Sequence, residues 1–265
     1  MKYAFIGLGN MAGAIIQGMA AAGVAKGADI GGYDIDPAQG QRLQESCGIT
    51  LCDGLAQAAQ AKTLVLSVKP QVLPALLPQL APVLPPETLV VSIAAGKDLA
   101  FLQKALGENR PIVRVMPNIN AKAAAATSCY TPNDRVSPEQ EETVRQIFSS
   151  IGSITKLEEK LFSVFTALCG SAPAFTYMYI DALAQAAVAA GMPRQMAQAL
   201  AADCVCGSAK MVLTSGQHPA ALTDQVCSPG GVTIAGVLQL DKAGFVSAVH
   251  QGMAAMIDKD KQLAQ

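Results

Sequence analysis

Residues 2–19 constrain this chain more tightly than any other stretch. The apolar run Tyr3-Ala4-Phe5-Ile6 breaks into Gly7-Leu8-Gly9-Asn10-Met11-Ala12, and a small-residue helical pattern follows at once. That order predicts a strand, a tight glycine turn and a helix N-terminus. Gly7 permits the turn, Gly9 lets backbone approach a pyrophosphate, and Ala12 lets the helix pack closely on the strand. The unpaired N–H groups at the helix start then face the phosphates. The strand-then-helix setting separates this Gly-x-Gly-x-x-Ala from an isolated glycine turn. Asn10 and Gln17 interrupt a run that would otherwise imitate a signal peptide.

Strand–helix alternation continues to about residue 157. Strands are expected over 2–6, 30–33, 49–52, 63–68, 88–93, 112–116, 128–130 and 153–157, with helices between several of them, such as 37–45, 71–77 and 137–150. This alternation predicts a doubly wound parallel sheet with helices on both faces and ligand at the strands' carboxyl ends. After Glu158 the strand signals stop. The rest reads as helices rich in Ala, Met and Leu, punctuated by Gly191-Met192-Pro193, by 216–219 and by Ser228-Pro229-Gly230-Gly231. The run 182–190 is apolar on more than one face, so these helices are expected to be buried all round. So short a segment can hardly achieve that alone, which predicts an oligomer interface. The domains expected are 1–158, binding a dinucleotide, and 159–265, helical.

Of the 265 residues, 51% are hydrophobic and 15% charged. About 25% charged is usual, so much of the surface is left to alanine or to another subunit. The net charge of −1 and the lack of a Lys/Arg cluster favour neither nucleic acid nor an anionic membrane. No apolar run is expected to reach the roughly 18 residues of a membrane span. Cys47, Cys52, Cys129, Cys169, Cys204, Cys206 and Cys227 form no Cys-x-x-Cys pair, and His218 and His250 lie far apart. No metal site or disulfide framework is expected. Buried thiols in a reducing cytosol are.

Other segments end strands or begin helices where the first domain should present its ligand. The second strand runs into Asp34-Ile35-Asp36-Pro37. An acid there hydrogen-bonds the adenosine ribose and repels a 2′-phosphate; no arginine follows, so Asp34-Ile35 favours NADH. The competing role for Asp34 is capping the next helix, which Asp36 fills equally well. Ser67-Val68-Lys69-Pro70 closes the fourth strand and places Lys69 over the strand ends. Ile93-Ala94-Ala95-Gly96 closes the fifth with side chains too small to block a flat ring, and Val115-Met116-Pro117-Asn118 closes the sixth. Later, Ser228 can cap the helix after Gly230-Gly231, whose bare amides would suit a small carboxylate. A plain helix cap and an anion site are both open readings of that segment.

Taken together, these segments resemble the pyrroline-5-carboxylate reductase family, which completes proline synthesis. Residues 6–11, Val68-Lys69-Pro70, 92–96, 114–118, 170–174 and 228–233 match in order across essentially the whole chain, the last being the family signature. The chain departs at Ile119-Asn120, where the family has Thr-Pro, and at Ala172, where it has glycine. The resemblance implies an α/β Rossmann-type domain that carries NAD(P)H and an all-α C-terminal domain that forms a homodimer, sometimes a ring of dimers. It implies cofactor contacts at Gly7, Gly9, Asn10, Met11, Lys69, Pro70, Ala94 and Ala95, among the flanking Ile6, Leu8, Ser67, Val68 and Ile93. Substrate contacts fall at Ser228, Gly230, Gly231, Val232 and Thr233. Glu159 matches a carboxylate near that pocket, or is an acid in a helix's first turn.

The implied reaction passes hydride from nicotinamide C4 to C5 of a protonated cyclic imine, giving L-proline. No strong acid is needed, and the protein's task is orientation. Thr233, the candidate catalytic residue, is expected to hydrogen-bond the ring nitrogen or carboxylate, and the amides of 230–233 to hold the carboxylate. A hydroxyacid dehydrogenase, the first rival, needs a base for its alcohol, yet Asp181 is the one charged residue over 161–193. A dinucleotide-sensing regulator would need a basic patch or a helix-turn-helix signal.

Overall fold

The opening apolar run forms β1 (Tyr3–Ile6), all four residues of which are buried. The structure is a computed structural model describing residues 1–264. They divide into two compact units, one of residues 1–170 together with the chain from Lys259, the other of residues 171–258. In the first unit β1 is followed by α1 (Asn10–Ala21), β2 (Ile30–Tyr33), α2 (Pro37–Cys47), β3 (Thr50–Leu51), α3 (Leu55–Ala58), β4 (Thr63–Leu66) and α4 (Leu73–Leu80). There follow β5 (Leu89–Ser92), α5 (Leu99–Leu106), β6 (Ile112–Met116), β7 (Ala126–Pro132), α6 (Pro138–Ser149), β8 (Gly152–Lys156) and α7 (Phe162–Phe165).

The eight strands make one sheet in the order β3-β2-β1-β4-β5-β6-β7-β8. Successive residues of a strand face opposite sides, and β1 serves both. Tyr3 and Phe5 join a core with Ile15, Val65, Val91 and Phe148, while Ala4 and Ile6 join one with Leu66, Leu77 and Leu102. A sheet covered on both faces in this way needs continuously apolar strands, as this chain supplies. The expected all-parallel sheet is corrected at one pairing: β7 runs antiparallel to β6. The link between them holds only the 3₁₀ turn Ile119–Ala123, and a parallel return needs a crossover of a dozen or more residues.

The first unit continues past β8, because Phe162 and Phe165 pack on Cys129 and Asn118 Nδ2 donates to the Cys169 carbonyl at 2.9 Å. That carbonyl lies in a π-helical turn, Thr166–Ser171.

The second unit holds α8 (Pro173–Ala189), α9 (Arg194–Ser215), α10 (Pro219–Val226), α11 (Val232–Lys242) and the start of α12 (Phe245–Ala264). Here the expectation of helices buried all round fails for the single chain. Ala184, Ala197 and Ala201 make a small buried seam between α8 and α9, while Met178, Leu183, Met196, Leu200, Leu213 and Leu238 face outward. Alanine permits close helix approach, so it takes the seam and the larger side chains are left outside it. The expectation that no stretch could span a membrane is also corrected. Glu159–Ala189 and Arg194–Ser215 are long and apolar enough by length and composition, with 17% and 11% of their apolar windows buried.

Candidate active site

β1, β2, β4, β5 and β6 are mutually parallel, so their carboxyl ends share one edge of the sheet. There the chain leaves β1 through the glycine turn. Gly7 has φ +90°, and a Cβ on it would lie 2.9 Å from the backbone of Ser67 and Val68. Only glycine fits. Ser67 locks the same junction, its hydroxyl donating to the Ile6 and Gly7 carbonyls at 3.1 and 2.6 Å. Gly9 is the opposite case. It caps α1 at φ −69°, and nothing lies within 4 Å of where its Cβ would be. The side chains of Ile6 and Leu8 are buried, so these two residues offer backbone to the edge. Asn10 is exposed and Met11 half-buried.

Asp34 does not cap α2, a role Asp36 performs by accepting from the Ala38 N–H at 3.1 Å. Asp34 instead accepts from Leu8 N–H at 2.6 Å through Oδ2 and from Asp36 N–H at 2.9 Å through Oδ1. A carboxylate thus holds the middle residue of the glycine turn. The expectation that no arginine follows Asp34 needs correction, because Arg42 on α2 reaches back and donates from Nη2 to the Leu8 carbonyl at 3.4 Å. Adjacency along the chain does not show this contact. The missed signal was a cation on the helix that returns past the turn.

Along the rest of the edge, Lys69 is exposed and precedes the 3₁₀ turn Pro70–Val72. Val68 and Pro70 are half-buried beside it. Ala94 packs into the core at 3% exposure. Ile93, Ala95 and Gly96 stay half-buried at the rim.

Glu159 has definite partners in the first unit. Its Oε1 accepts from Arg114 Nη1 and from Leu99 N–H, both at 2.9 Å, so it helps to seat the start of α5. The Arg114 guanidinium also stacks over Phe162, 4.3 Å from the ring centroid. Beneath it, burial pushes the Cys129 thiol up to about 12, partly opposed by the charge of Arg114. The pairing of Glu159 with Arg114 crosses 45 residues, which local sequence spacing does not reveal.

The signature segment lies in the second unit. Gly230 has φ +67°, and Gly231 N–H donates to the Ser228 carbonyl at 3.0 Å. Ser228 was expected to cap the following helix. It does not: α11 begins at Val232 with Gly231 as its N-cap, and no side chain caps it. The backbone turn places Ser228 one step too early. Its hydroxyl lies instead too close to where a Cβ on Gly231 would sit for a side chain to fit there, which explains the second glycine. Val232 is exposed and Thr233 half-buried in the first turn of α11.

Both α1 and α11 therefore start from glycine with no side-chain cap, leaving first-turn amides available to an anion. Around α1, the open face of Gly9 and the acid at the end of β2 fit a dinucleotide. Among the described residues no group of three or more His, Cys, Asp or Glu could hold a metal ion.

Comparison with known proteins bears on both segments. A family model described as pyrroline-5-carboxylate reductase dimerisation matches residues 159–263, and one described as NADP oxidoreductase coenzyme F420-dependent matches 2–96. The chain is 40% identical over 265 residues to a pyrroline-5-carboxylate reductase of Escherichia coli, covering 100% of this chain and 98% of that protein. It is 39% identical over 261 residues to the pyrroline-5-carboxylate reductase of Pisum sativum, covering 98% and 95%. Among solved structures, a pyrroline-5-carboxylate reductase from Coxiella burnetii aligns with TM-score 0.93 and 28% identity over 100% of this chain and 98% of that one. The Plasmodium falciparum enzyme, solved with NADP bound, aligns with TM-score 0.89 and 29% identity over 100% and 98%.

Proposed function

Since the chain belongs to the pyrroline-5-carboxylate reductase family, we infer that it reduces 1-pyrroline-5-carboxylate to L-proline with NAD(P)H, the last step of proline biosynthesis. The observation that carries this reading is the pair of glycine-opened, uncapped helix starts, one suited to a diphosphate and one to a small carboxylate. When bound, the reduced nicotinamide supplies hydride to the imine carbon. The chain's own residues bind and orient. The turn of Gly7, Leu8 and Gly9 with Asn10 and Met11 holds the diphosphate, and Asp34 takes the ribose hydroxyls and favours NADH. Lys69, Pro70 and Ala95 border the nicotinamide, leaving room for a flat ring. The amides of Gly230, Val232 and Thr233 hold the substrate carboxylate, the Gly231 N–H being engaged by the Ser228 carbonyl, and the Thr233 hydroxyl hydrogen-bonds the ring nitrogen or that carboxylate. The imine arrives protonated, so no side chain need act as a strong acid.

Alcohol oxidation would require a base, and this speaks against a hydroxyacid dehydrogenase. Asp181, alone in its charge over 161–193, is ion-paired with Arg194. Residues 1–158 are read as the dinucleotide domain and 159–265 as the helical substrate and dimerisation domain.

We further propose a cytoplasmic homodimer, or a ring of such dimers, without nucleic acid or membrane as partner. Within the second unit Met178, Leu183, Met196, Leu200, Leu213 and Leu238 are left exposed, apolar surface of the kind that obligate subunit interfaces cover. An apolar groove of about 570 Å³ lined by Phe175, Met178, Leu183, Leu240 and Val249 offers a second copy a place to pack. Asp203 and Lys210 within α9, like the Asp181–Arg194 pair, suit a subunit interface better than lipid. The decisive test mixes the protein with pyrroline-5-carboxylate and follows loss of reduced-nucleotide absorbance. Turnover is expected, and no turnover with either NADH or NADPH would refute the reading.

A further inference from the structure

We propose that Arg42 lets this chain accept the 2′-phosphorylated coenzyme in spite of Asp34, so that two opposite charges on one turn set its coenzyme choice. The proposal rests on the reading that the α1 turn binds a reduced dinucleotide. Asp34 and Arg42 both hydrogen-bond Leu8, the acid at its N–H and the guanidinium at its C=O. They are not ion-paired with each other among the described residues, so neither charge is cancelled locally.

An acid at the end of β2 marks where the adenosine ribose lies. A 2′-phosphate there carries about −1.5 to −2 charges at neutral pH and meets the repulsion of Asp34. With both oxygens engaged by backbone N–H groups, that carboxylate cannot swing away without giving up its bonds. Binding NADPH therefore needs a compensating cation. Over residues 27–61 the chain supplies one Lys or Arg, and it is Arg42. Arg42 is exposed, and among the described residues the Leu8 carbonyl is its one side-chain hydrogen-bond partner. A guanidinium has five donors in a rigid fork that matches phosphate oxygens. Most of that fork faces no acceptor of the chain, and its tip lies against Gly13 of α1, where a Cβ would be 3.5 Å from Nη2. Anchored by one bond to the turn, the guanidinium shares Leu8 with the acid that marks the ribose.

The test is equilibrium binding of NADH and of NADPH, read from nucleotide fluorescence with no imine present, to wild type, Arg42→Gln and Arg42→Lys. Losing a charged hydrogen-bond partner should weaken NADPH by about tenfold or more, with NADH held within about twofold. Arg42→Lys should fall between, because it keeps the charge and loses the fork. Thermal melts check that both variants fold. Equal weakening of both nucleotides would make Arg42 a prop for the turn and overturn the proposal. So would unchanged NADPH affinity, or a wild type that binds NADH and not NADPH. A wild type that binds neither would instead bring down the nucleotide reading, and this proposal with it.

Discussion

The two glycines of the β1–α1 turn should fail in opposite ways when each is changed to alanine. At Gly7 the φ of +90° and a Cβ placed 2.9 Å from the Ser67 and Val68 backbone both penalise a side chain. A positive φ costs about 1–2 kcal/mol for an L-residue, and overpacking against groups that cannot rotate away costs about 1–3 kcal/mol. Gly7→Ala should therefore lose roughly 2–5 kcal/mol, a fall in Tm of about 4–20 °C at the size of this unit. Gly9 sits at φ −69° with open space at its Cβ position. Alanine there narrows the unfolded ensemble by about 0.4–1 kcal/mol and gives up a similar amount of N-cap preference. Its stability should be nearly unchanged. Its Cβ, however, occupies the space a diphosphate needs, so NADH affinity should drop by about tenfold or more, as expected when charged contacts to the first-turn amides are lost. Thermal melts and NADH titrations on both variants separate the effects. If Gly9→Ala melted as early as Gly7→Ala, or bound NADH like wild type, the assignment of one glycine to the fold and the other to the ligand would be wrong.

Thr233→Ala should lower kcat/KM for the imine by about tenfold or more, the loss of a hydrogen bond to a charged substrate, and leave the NADH dissociation constant unchanged. Parallel loss of both would remove Thr233 from the substrate site. The Cys129 thiol, raised to about 12 by burial, stays neutral in the folded state after the unfolded chain has ionised at about 9. The resulting stability is complete below pH ~9 and falls by about 1.4 kcal/mol per pH unit between about 9 and 12. Chemical unfolding at about pH 8 and pH 10 should show a steeper alkaline loss in wild type than in Cys129→Ala, and equal slopes would refute the cause. If α8 to α12 are completed by a second copy, Tm should rise with protein concentration. A concentration-independent Tm in a protein that sediments as a monomer would count against the dimer.

Much of the first unit was legible because strand existence is a local property. Each strand is an apolar run bounded by Gly, Pro or polar residues, and every expected run overlaps an observed strand. Direction is less local. β7 carries its own strand signal in Ser128-Cys129-Tyr130, yet its orientation depends on how short the link through Ile119–Ala123 turns out to be. In the helical half, composition signalled excess apolar surface without signalling its placement. Ala184, Ala197 and Ala201 form the seam because small residues let α8 and α9 approach, and that choice turns Leu183 and Leu200 outward. The same residue types would have read equally well with the faces exchanged.

The site divides along the same line. Gly7 and Gly9 could be found because a glycine turn needs glycine whatever surrounds it, and the structure then gives each a different reason. Charged groups could be found as candidates, but not as partners. Asp34 is expected at the ribose from its place after β2, whereas its bond to Leu8 N–H joins residues 26 apart. Glu159 is expected beside a substrate or as an acid in a helix's first turn, and it stands in the first turn of the 3₁₀ segment Glu159–Leu161 while pairing with Arg114. The distance of Arg42 along the chain hides how α2 returns to the β1–α1 turn. The Ser228 cap fails for a different reason: capping depends on where the first helical residue falls, and sequence locates that only to within a residue or two. Here Gly230, at positive φ, and Gly231, which leaves room for the Ser228 hydroxyl, shift the helix start to Val232. A helix start with a serine cap has one amide already satisfied, whereas this one leaves its first-turn N–H groups to whatever anion arrives. The failed cap thus strengthens the carboxylate reading of 228–233.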